Sequence, residues 1–293
     1  ERRRLLRARR LLRARGCEQV VLYLLRPEYA TALDLLPHDV SCYAIRDEYS
    51  FSEIERPLDP LEAALIARVD QVFISSRVLL ERKGAINPHT LWTPNGVDFT
   101  AYATPAAEPV DMREIPHPRI GYIGWIKEQI DLPLLLTLAQ RHREWSFVLV
   151  GPARASGEDA VVLEALRGLP NVHVLGARPH ASLPGYFQHV DVSVMPYRPT
   201  AYTKYIDPLK LRQGLASGRP VVGSPIPGAM DFKDVVVMAS TPDEWSMAIE
   251  AALAPSAMLP ARVSARQGGA KAHDWGGLVD RIASEMATRL ASR

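Results

Sequence analysis

The sequence predicts an α/β protein with two parallel sheets, each covered by helices on both faces. Continuously apolar runs such as residues 19–25 are typical of strands that are buried on both faces. These runs alternate along the chain with segments of helical periodicity, which is the pattern of parallel βαβ units. Prolines at 105, 109, 116 and 118 mark a linker between two such series. We therefore expect a two-domain, doubly wound architecture.

Composition and charge fit this fold class and exclude several others. The 293 residues suffice for two cores, and 47% apolar with 23% charged residues is typical of a soluble globular protein. The net charge of +2 gives no indication of nucleic-acid binding. Two cysteines, Cys17 and Cys42, form neither a disulfide framework nor a zinc motif, so we expect no metal and no cofactor. Without an apolar run of about 18 residues, we expect a cytoplasmic protein.

The first residues form an unusually basic segment. The chain begins at Glu1 without an initiator methionine, so we expect an N-terminally truncated fragment. Residues 1–15 are predicted to be a helix with eight arginines and leucines at 5, 6, 11 and 12. Three interpretations are open: contact with the inner face of an anionic membrane, a weaker case for nucleic acid, or a surface helix with solvated arginines.

In the first series we predict strands at 19–25, 40–45 and 71–76, a loop and a short helix within 27–36, and helices at 60–67 and 76–83. Asp47 and Glu48 directly follow the second strand. Side chains beyond the carboxyl ends of parallel strands are site candidates, and carboxylates serve acid–base catalysis. The alternative is that they cap the next helix or pair with nearby arginines.

In the second series the predicted strands are 120–123, 147–150, 172–175, 192–195, 221–222 and 235–238. Helices are predicted at 132–141, 160–167, 182–188 and 242–253, with a long terminal helix at 273–290. One further helix, at 207–218, has both ends marked: Asp207 as N-cap, Pro208 in the first turn and Gly218 after the end.

That helix is the strongest binding candidate in the sequence. At helical spacing Lys210, Gln213 and Ser217 share one face. The helix follows the end of a buried strand, and the unpaired N–H groups of a helix N-terminus suit a phosphate. The alternative is an ordinary crossover helix with solvated polar residues.

Several short strings occur in an order that resembles a known family. They are PNGVD at 94–98, IGYIG at 120–124, FVLVGP at 147–152, PNVHVLG at 170–176, PLKL at 208–211 and GRPVV at 218–222. The chain from residue 16 onward resembles GT-B glycosyltransferases of the retaining family 4, of the type that makes bacterial surface polysaccharides such as teichuronic acid.

The resemblance implies transfer of a sugar from a nucleotide-sugar donor to a surface glycan or lipid-linked precursor, with retention. It implies an acceptor-side Rossmann-like domain at 1–103, lacking its first strand, then a linker at 104–118. A donor domain at 119–270 and a helix at 271–293 that packs back across the domains complete the expected arrangement, with the two sheets facing a cleft.

The resemblance also implies roles for individual residues. Asp47 or Glu48 would act on the acceptor hydroxyl. Gly124 would let the backbone approach the diphosphate, Lys127 and Lys210 would neutralise it, and Gln213 would contact the ribose. The full set of donor-binding residues that it implies is Gly124, Trp125, Lys127, Gly151, Arg178, Tyr197, Lys204, Asp207, Lys210 and Gln213.

The chain departs from the family pattern at its acidic positions. Two glutamates of the family correspond to Tyr205 and Gln213, and a family arginine and lysine correspond to Trp125 and Ile130. Lys204 and Lys127 are the candidate substitutes for the lost cations. These departures keep open a degenerate domain that binds nucleotide or glycan without turnover. A sugar-nucleotide epimerase is the third alternative.

Overall fold

A computed structural model describes residues 2–50 and 54–292 of the chain. The chain divides into two compact units. The first unit contains the residues up to Asn95, the short segment Lys204–Asp207 and the segment from Gly276 onward. The second unit contains Gly96–Thr203 and Pro208–Trp275. Among the described residues, no helix has the length and apolar character that a membrane span requires.

The first unit is built on a four-stranded parallel sheet in the order β1-β2-β3-β4. Its elements up to residue 92 are α1 (Arg2–Ala14), β1 (Val21–Leu24), α2 (Ala32–Leu35), β2 (Val40–Ile45), α3 (Pro60–Arg68), β3 (Gln71–Ile74), α4 (Arg77–Lys83) and β4 (Thr90–Trp92). Strand β2 is buried at every position, as expected for a central strand with both faces covered.

The second unit is built on a six-stranded parallel sheet in the order β10-β9-β8-β5-β6-β7. Its elements are α5 (Phe99–Ala103), β5 (Arg119–Ile123), α6 (Leu132–Arg141), β6 (Ser146–Val150), α7 (Glu158–Arg167), β7 (Val172–Gly176), α8 (Leu183–Gln188), β8 (Val192–Met195), α9 (Leu209–Ala216), β9 (Val221–Gly223), α10 (Pro227–Met230), β10 (Val237–Met238), α11 (Pro242–Leu253) and α12 (Pro260–Lys271).

The terminal helix α13 (Trp275–Ala291) lies close to its predicted bounds. Its residues Ile282, Met286 and Leu290 pack on one face of the first sheet, against a buried cluster that includes Cys42 and Phe73. The opposite face of that sheet is covered by a larger cluster of buried residues. The predicted α/β class with two parallel sheets is therefore confirmed.

Two features of the second unit were not apparent from the sequence. The segment at 104–118 contains the buried residues Met112 and Ile115, although it has few large apolar residues. Helix α12 was not predicted because its sequence is polar and contains Gly268 and Gly269. It is held by polar contacts instead: buried Arg266 donates to the carbonyl oxygens of Gly218 (2.9 Å) and Ala257 (2.7 Å).

The prediction that Asp207 caps helix α9 is wrong. The helix begins at Leu209, and Pro208 occupies the cap position without a side-chain hydrogen bond. The Asp207 carboxylate accepts a hydrogen bond from the Asn95 N–H (2.6 Å), and the Asp207 carbonyl accepts one from the Asn95 side-chain amide (2.8 Å). The other end agrees with prediction, because Gly218 follows the helix with φ of +75°.

Candidate functional site

The strand order of the second sheet reverses between β5 and β8, which are neighbours although they are not consecutive in sequence. In open α/β sheets, ligands bind at the carboxyl ends of the strands at such a switch point. The loops that leave β5 and β8 are joined here: Ile130 and Tyr197 form an antiparallel bridge, and the Asp131 N–H donates to the Pro196 carbonyl (2.8 Å). The candidate site is therefore the edge formed by these two loops.

Two glycines bring the chain close together at this edge. Gly124 and Gly151 follow β5 and β6 with φ of +155° and +143°, a region that side chains rarely permit. The Gly124 N–H donates to the Val150 carbonyl at 2.7 Å. A Cβ at Gly151 would lie 2.0 Å from the Gly124 carbonyl oxygen, so this crossing requires glycine.

Lys210 lies directly over Gly124. A Cβ on Gly124 would be 1.7 Å from Lys210 Cε, so the lysine side chain fills the space that the glycine leaves. The Lys210 Nζ atom lies 5.9 Å from the centre of the Tyr122 ring, and burial lowers the pKa of Lys210. In the part of the chain that the structure describes, no carboxylate pairs with this ammonium. Because a half-buried cation without a counter-ion is costly, the position favours an anionic ligand.

Gln213 lies one turn further along α9 and is only 6% exposed. Its amide nitrogen donates a hydrogen bond to the Tyr102 hydroxyl at 2.6 Å. Burial raises the pKa of Tyr102, so this hydroxyl stays protonated at neutral pH. Tyr102 thus fixes the Gln213 amide beside Lys210 on the same helix.

Lys127 and Tyr197 occupy the two joined loops. Tyr197 is 6% exposed; burial raises its pKa to about 12, and the positive charge of Lys127 opposes this shift. The lysine therefore lies near the tyrosine hydroxyl. With Lys210, it gives the switch-point edge a second cation.

Trp125 follows Gly124, and 44% of its surface is exposed to solvent. Its carbonyl accepts a hydrogen bond from the Tyr122 hydroxyl (2.7 Å), and the Arg154 guanidinium stacks 4.5 Å from the indole centre. The loops after β5 and β6 are also bridged between Ile126 and Ala153. The structure thus presents a supported aromatic side chain next to the glycine crossing.

Arg178 has a different environment from the one expected beside a nucleotide base. Its Nε and Nη2 atoms donate to Asp111 Oδ2 at 2.9 and 2.5 Å, and Nε also contacts the Tyr186 hydroxyl. The hydrogen bond to Asp111 raises the pKa of Arg178. Its guanidinium is thus engaged within the second unit, and its role in donor binding stays a prediction.

Lys204 and Asp207 belong to the first unit, unlike the other predicted donor-binding residues. The Lys204 ammonium lies 2.5 Å from Glu55 Oε2. Tyr205, which stands where the family has a glutamate, is 2% exposed and packs in the core of the first unit. At the position of the family's glutamate, this chain thus has a tyrosine that packs in a hydrophobic core.

Glu48 is buried within a network of charged side chains. The Glu48 Oε1 atom lies 2.9 Å from Lys83 Nζ, and the Glu48 Oε2 atom lies 3.3 Å from Arg82 Nε. Lys83 Nζ also lies 2.9 Å from Glu62 Oε1. Asp47 accepts a hydrogen bond from the Glu48 N–H at 3.0 Å. These contacts match the ion-pair alternative for Glu48, and the acid–base role of both carboxylates stays a prediction.

Comparison with known proteins identifies the domain that carries the switch-point site. Residues 117–255 match the family model described as glycosyl transferases group 1. Over these residues the chain is similar to the group 1 glycosyltransferases. The matched region contains Gly124, Lys127, Gly151, Lys210 and Gln213.

One curated relative supports the predicted subtype. The chain is 32% identical over 176 residues to TuaH of Bacillus subtilis (strain 168), which its name assigns to teichuronic acid biosynthesis as a glycosyltransferase. The match spans 57% of this chain and 43% of TuaH, so the chain spans less than half the length of this relative.

Solved structures confirm the GT-B fold. Anabaena HepE, solved with UDP and glucose, is 17% identical with a TM-score of 0.71, over 91% of this chain and 77% of HepE. The α,α-trehalose 6-phosphate synthase of Burkholderia multivorans is 14% identical with a TM-score of 0.75, over 99% of this chain and 76% of the synthase.

Three residues at or beside the switch-point edge were not singled out from the sequence: Tyr102, Tyr122 and Arg154. Tyr122 lies inside the quoted string at 120–124, so its position on β5 could have marked it. Tyr102 lies at the start of the proline-rich stretch, 111 positions before its partner Gln213, and no local pattern connects them.

Proposed function

We propose that this chain is a glycosyltransferase that moves a sugar from a nucleotide-sugar donor to a bacterial surface glycan or a lipid-linked precursor, with retention at the anomeric carbon. The observation that carries the proposal is the Lys210 ammonium over the Gly124–Gly151 crossing, which has no carboxylate partner among the described residues and lies within the region that matches the group 1 model. The name of TuaH supports a surface-glycan acceptor, and HepE, solved with UDP and glucose, supports a nucleotide-sugar donor.

In this proposal the donor diphosphate lies over the glycine crossing. Lys210 and Lys127 neutralise the charge that develops on the leaving nucleoside diphosphate, as preorganised cations do in other transfer reactions. The Gln213 amide hydrogen-bonds a ribose hydroxyl, and Trp125 packs on the base or the sugar. The lysines supply the positive charge, so we expect donor binding to survive treatment with EDTA.

Calorimetric titration of the chain with UDP-, GDP- and dTDP-sugars tests the proposal. We expect saturable binding of at least one donor, with competition by the corresponding nucleoside diphosphate. Absence of binding by all three classes would contradict the proposal.

A binding domain without turnover is the second candidate, and two observations favour it. Gln213 replaces a carboxylate of the family, and Glu48 is engaged by Lys83 rather than free for acid–base work. Donor hydrolysis distinguishes the candidates, because glycosyltransferases commonly transfer slowly to water. Binding without hydrolysis or transfer to any surface-glycan acceptor would favour the second candidate.

We also propose that the first unit contacts an anionic membrane surface through α1, at the cytoplasmic face. Arg3, Arg7 and Arg10 are exposed and share one helix face, while Leu6 and Leu11 flank that face with 38% and 53% exposure. The helix has no acidic residue. Such a mixture of arginine and exposed leucine suits the interface of an anionic bilayer.

Vesicle flotation tests this contact. The chain should bind vesicles containing phosphatidylglycerol but not pure phosphatidylcholine, and changing Arg3, Arg7 and Arg10 to Gln should weaken binding by roughly 100-fold. The control is an equal loss of charge at exposed positions of the second unit, Arg113, Arg143 and Arg262 changed to Gln. Equal weakening by both triple variants would contradict a contact specific to α1.

A further inference from the structure

Arg198 links three segments at the switch-point edge. It follows β8 by three residues and makes a bidentate ion pair with Asp159: Nη2 lies 2.5 Å from Oδ1 and Nη1 lies 3.0 Å from Oδ2. Asp159 belongs to the first turn of α7, in the segment that follows β6. Its carboxylate is 14% exposed and the arginine 29%, so the pair is shielded from water over most of its surface.

The same arginine also forms hydrogen bonds with the loop that leaves β5. Its Nη1 donates to the Glu128 carbonyl at 3.3 Å, and its backbone N–H donates to the Gln129 carbonyl at 2.9 Å. The two acceptors are the first and second residues after Lys127, whose own carbonyl accepts from the Ile130 N–H at 2.9 Å. The turn that carries Lys127 is therefore attached at consecutive residues to one arginine.

The arginine is itself held in place on the β8 side. Its carbonyl accepts hydrogen bonds from the Thr203 hydroxyl at 2.6 Å and from the Thr200 N–H at 2.9 Å. A planar guanidinium that is fixed at its base and paired bidentately at its tip has few alternative orientations. Segments from β5, β6 and β8 thus meet at one side chain.

We propose that Arg198, anchored by Asp159, is a positioning residue that sets the Lys127 turn so that the lysine faces the diphosphate of the donor. The inference rests on the proposed function, in which Lys127 contacts that diphosphate. Arg198 acts through the lysine: its Nη1 and Nη2 atoms donate to Asp159 and to the Glu128 carbonyl of the turn.

A double-mutant cycle on nucleotide binding tests the proposal. The variants are Arg198→Lys, Lys127→Gln and the two together, titrated with UDP, or with GDP or dTDP if either binds the wild-type chain more tightly. Lysine keeps the charge at 198 but cannot form the bidentate pair and hold the Glu128 carbonyl at once, so a loss of affinity reports geometry rather than net charge.

We expect Lys127→Gln to weaken binding by roughly tenfold, as the loss of a charged hydrogen bond does, and Arg198→Lys by about threefold. In the Lys127→Gln background, Arg198→Lys should cause no further loss, because the lysine through which it acts is gone. Asp159→Asn, which weakens the anchor and leaves the arginine in place, should reproduce the effect of Arg198→Lys.

The matched control is Arg141→Lys, which weakens the exposed Arg141–Asp243 pair (2.6 Å) on the same unit and should leave nucleotide affinity unchanged. Equal effects of Arg198→Lys in both backgrounds would show a purely structural role and overturn the proposal. Wild-type affinity in Arg198→Lys or in Lys127→Gln would also overturn the Arg198 proposal. The proposed function would still stand in that case, provided that the wild-type chain binds nucleotide. If no nucleotide binds the wild-type chain, the proposed function and this inference fail together.

Discussion

Replacing Lys210 with Met should make the protein more stable and a poorer nucleotide binder. Burial lowers the pKa of Lys210, so the folded state holds its charge at a cost, and no carboxylate partner among the described residues is lost on substitution. Methionine keeps the unbranched chain over Gly124, so we expect a gain of about 1 kcal/mol in unfolding free energy, or about 2–3 °C in Tm. Nucleoside diphosphate should bind roughly 10- to 150-fold more weakly, the range for loss of a charged hydrogen bond.

The pH dependence gives a second, independent check on Lys210. Because its folded pKa lies below its unfolded pKa, the unfolded state binds more protons between the two values. Wild-type stability should therefore rise with pH across that window relative to Lys210→Met, and the two chains should converge at higher pH. Thermal denaturation and calorimetric titration of both chains provide the measurements, with the exposed Lys233→Met as the control. A less stable Lys210→Met variant with unchanged nucleotide affinity would refute the reasoning.

Three further substitutions test other parts of the account. Gly151→Ala should abolish nucleotide binding and lower Tm, because its Cβ would lie 2.0 Å from a backbone carbonyl oxygen; a wild-type Tm would contradict the assigned crossing. Gln213→Glu should tighten donor binding about fivefold, since the Tyr102 hydroxyl can turn to donate to the new carboxylate and a carboxylate binds ribose hydroxyls more strongly; unchanged affinity would contradict the ribose contact. The pKa of Glu55 is lowered to about 2, and the largest cause is the hydrogen bond from Lys204. The ionised Glu55 carboxylate therefore stabilises the folded state above pH 4.5, and this stabilisation is lost as pH falls toward 2. Glu55→Gln should flatten the acid limb of the Tm profile, and a parallel profile would contradict this contact.

Local sequence patterns were sufficient to predict most strands of the two sheets and several of the helices that cover them. Strands β2 and β8 and helices α6 and α11 have the predicted bounds, because their apolar periodicity and their terminal residues agree. Helix α12 was not predicted because it is held by hydrogen bonds from the buried Arg266, and a search for apolar periodicity does not detect such a contact. Asp207 was assigned to a cap from local preference, whereas its carboxylate binds the distant Asn95.

The candidate site could be predicted in its chemistry but not in its contacts. The glycines after β5 and β6 were proposed from the family resemblance, and the lysine of α9 from helical spacing as well. The position of Lys210 over Gly124 depends on how α9 packs on the sheet, which the sequence does not encode locally. The same holds for the Tyr102–Gln213 hydrogen bond and for the Arg198–Asp159 pair, whose members are 111 and 39 positions apart.

A crystal structure of the chain with a bound nucleoside diphosphate tests the central claim most directly. The account predicts the diphosphate at the carboxyl ends of β5 and β8, over the Gly124–Gly151 crossing, with Lys210 Nζ within hydrogen-bonding distance of a phosphate oxygen. A nucleotide bound at another site, or Lys210 still covering Gly124 without contact to the phosphates, would contradict it.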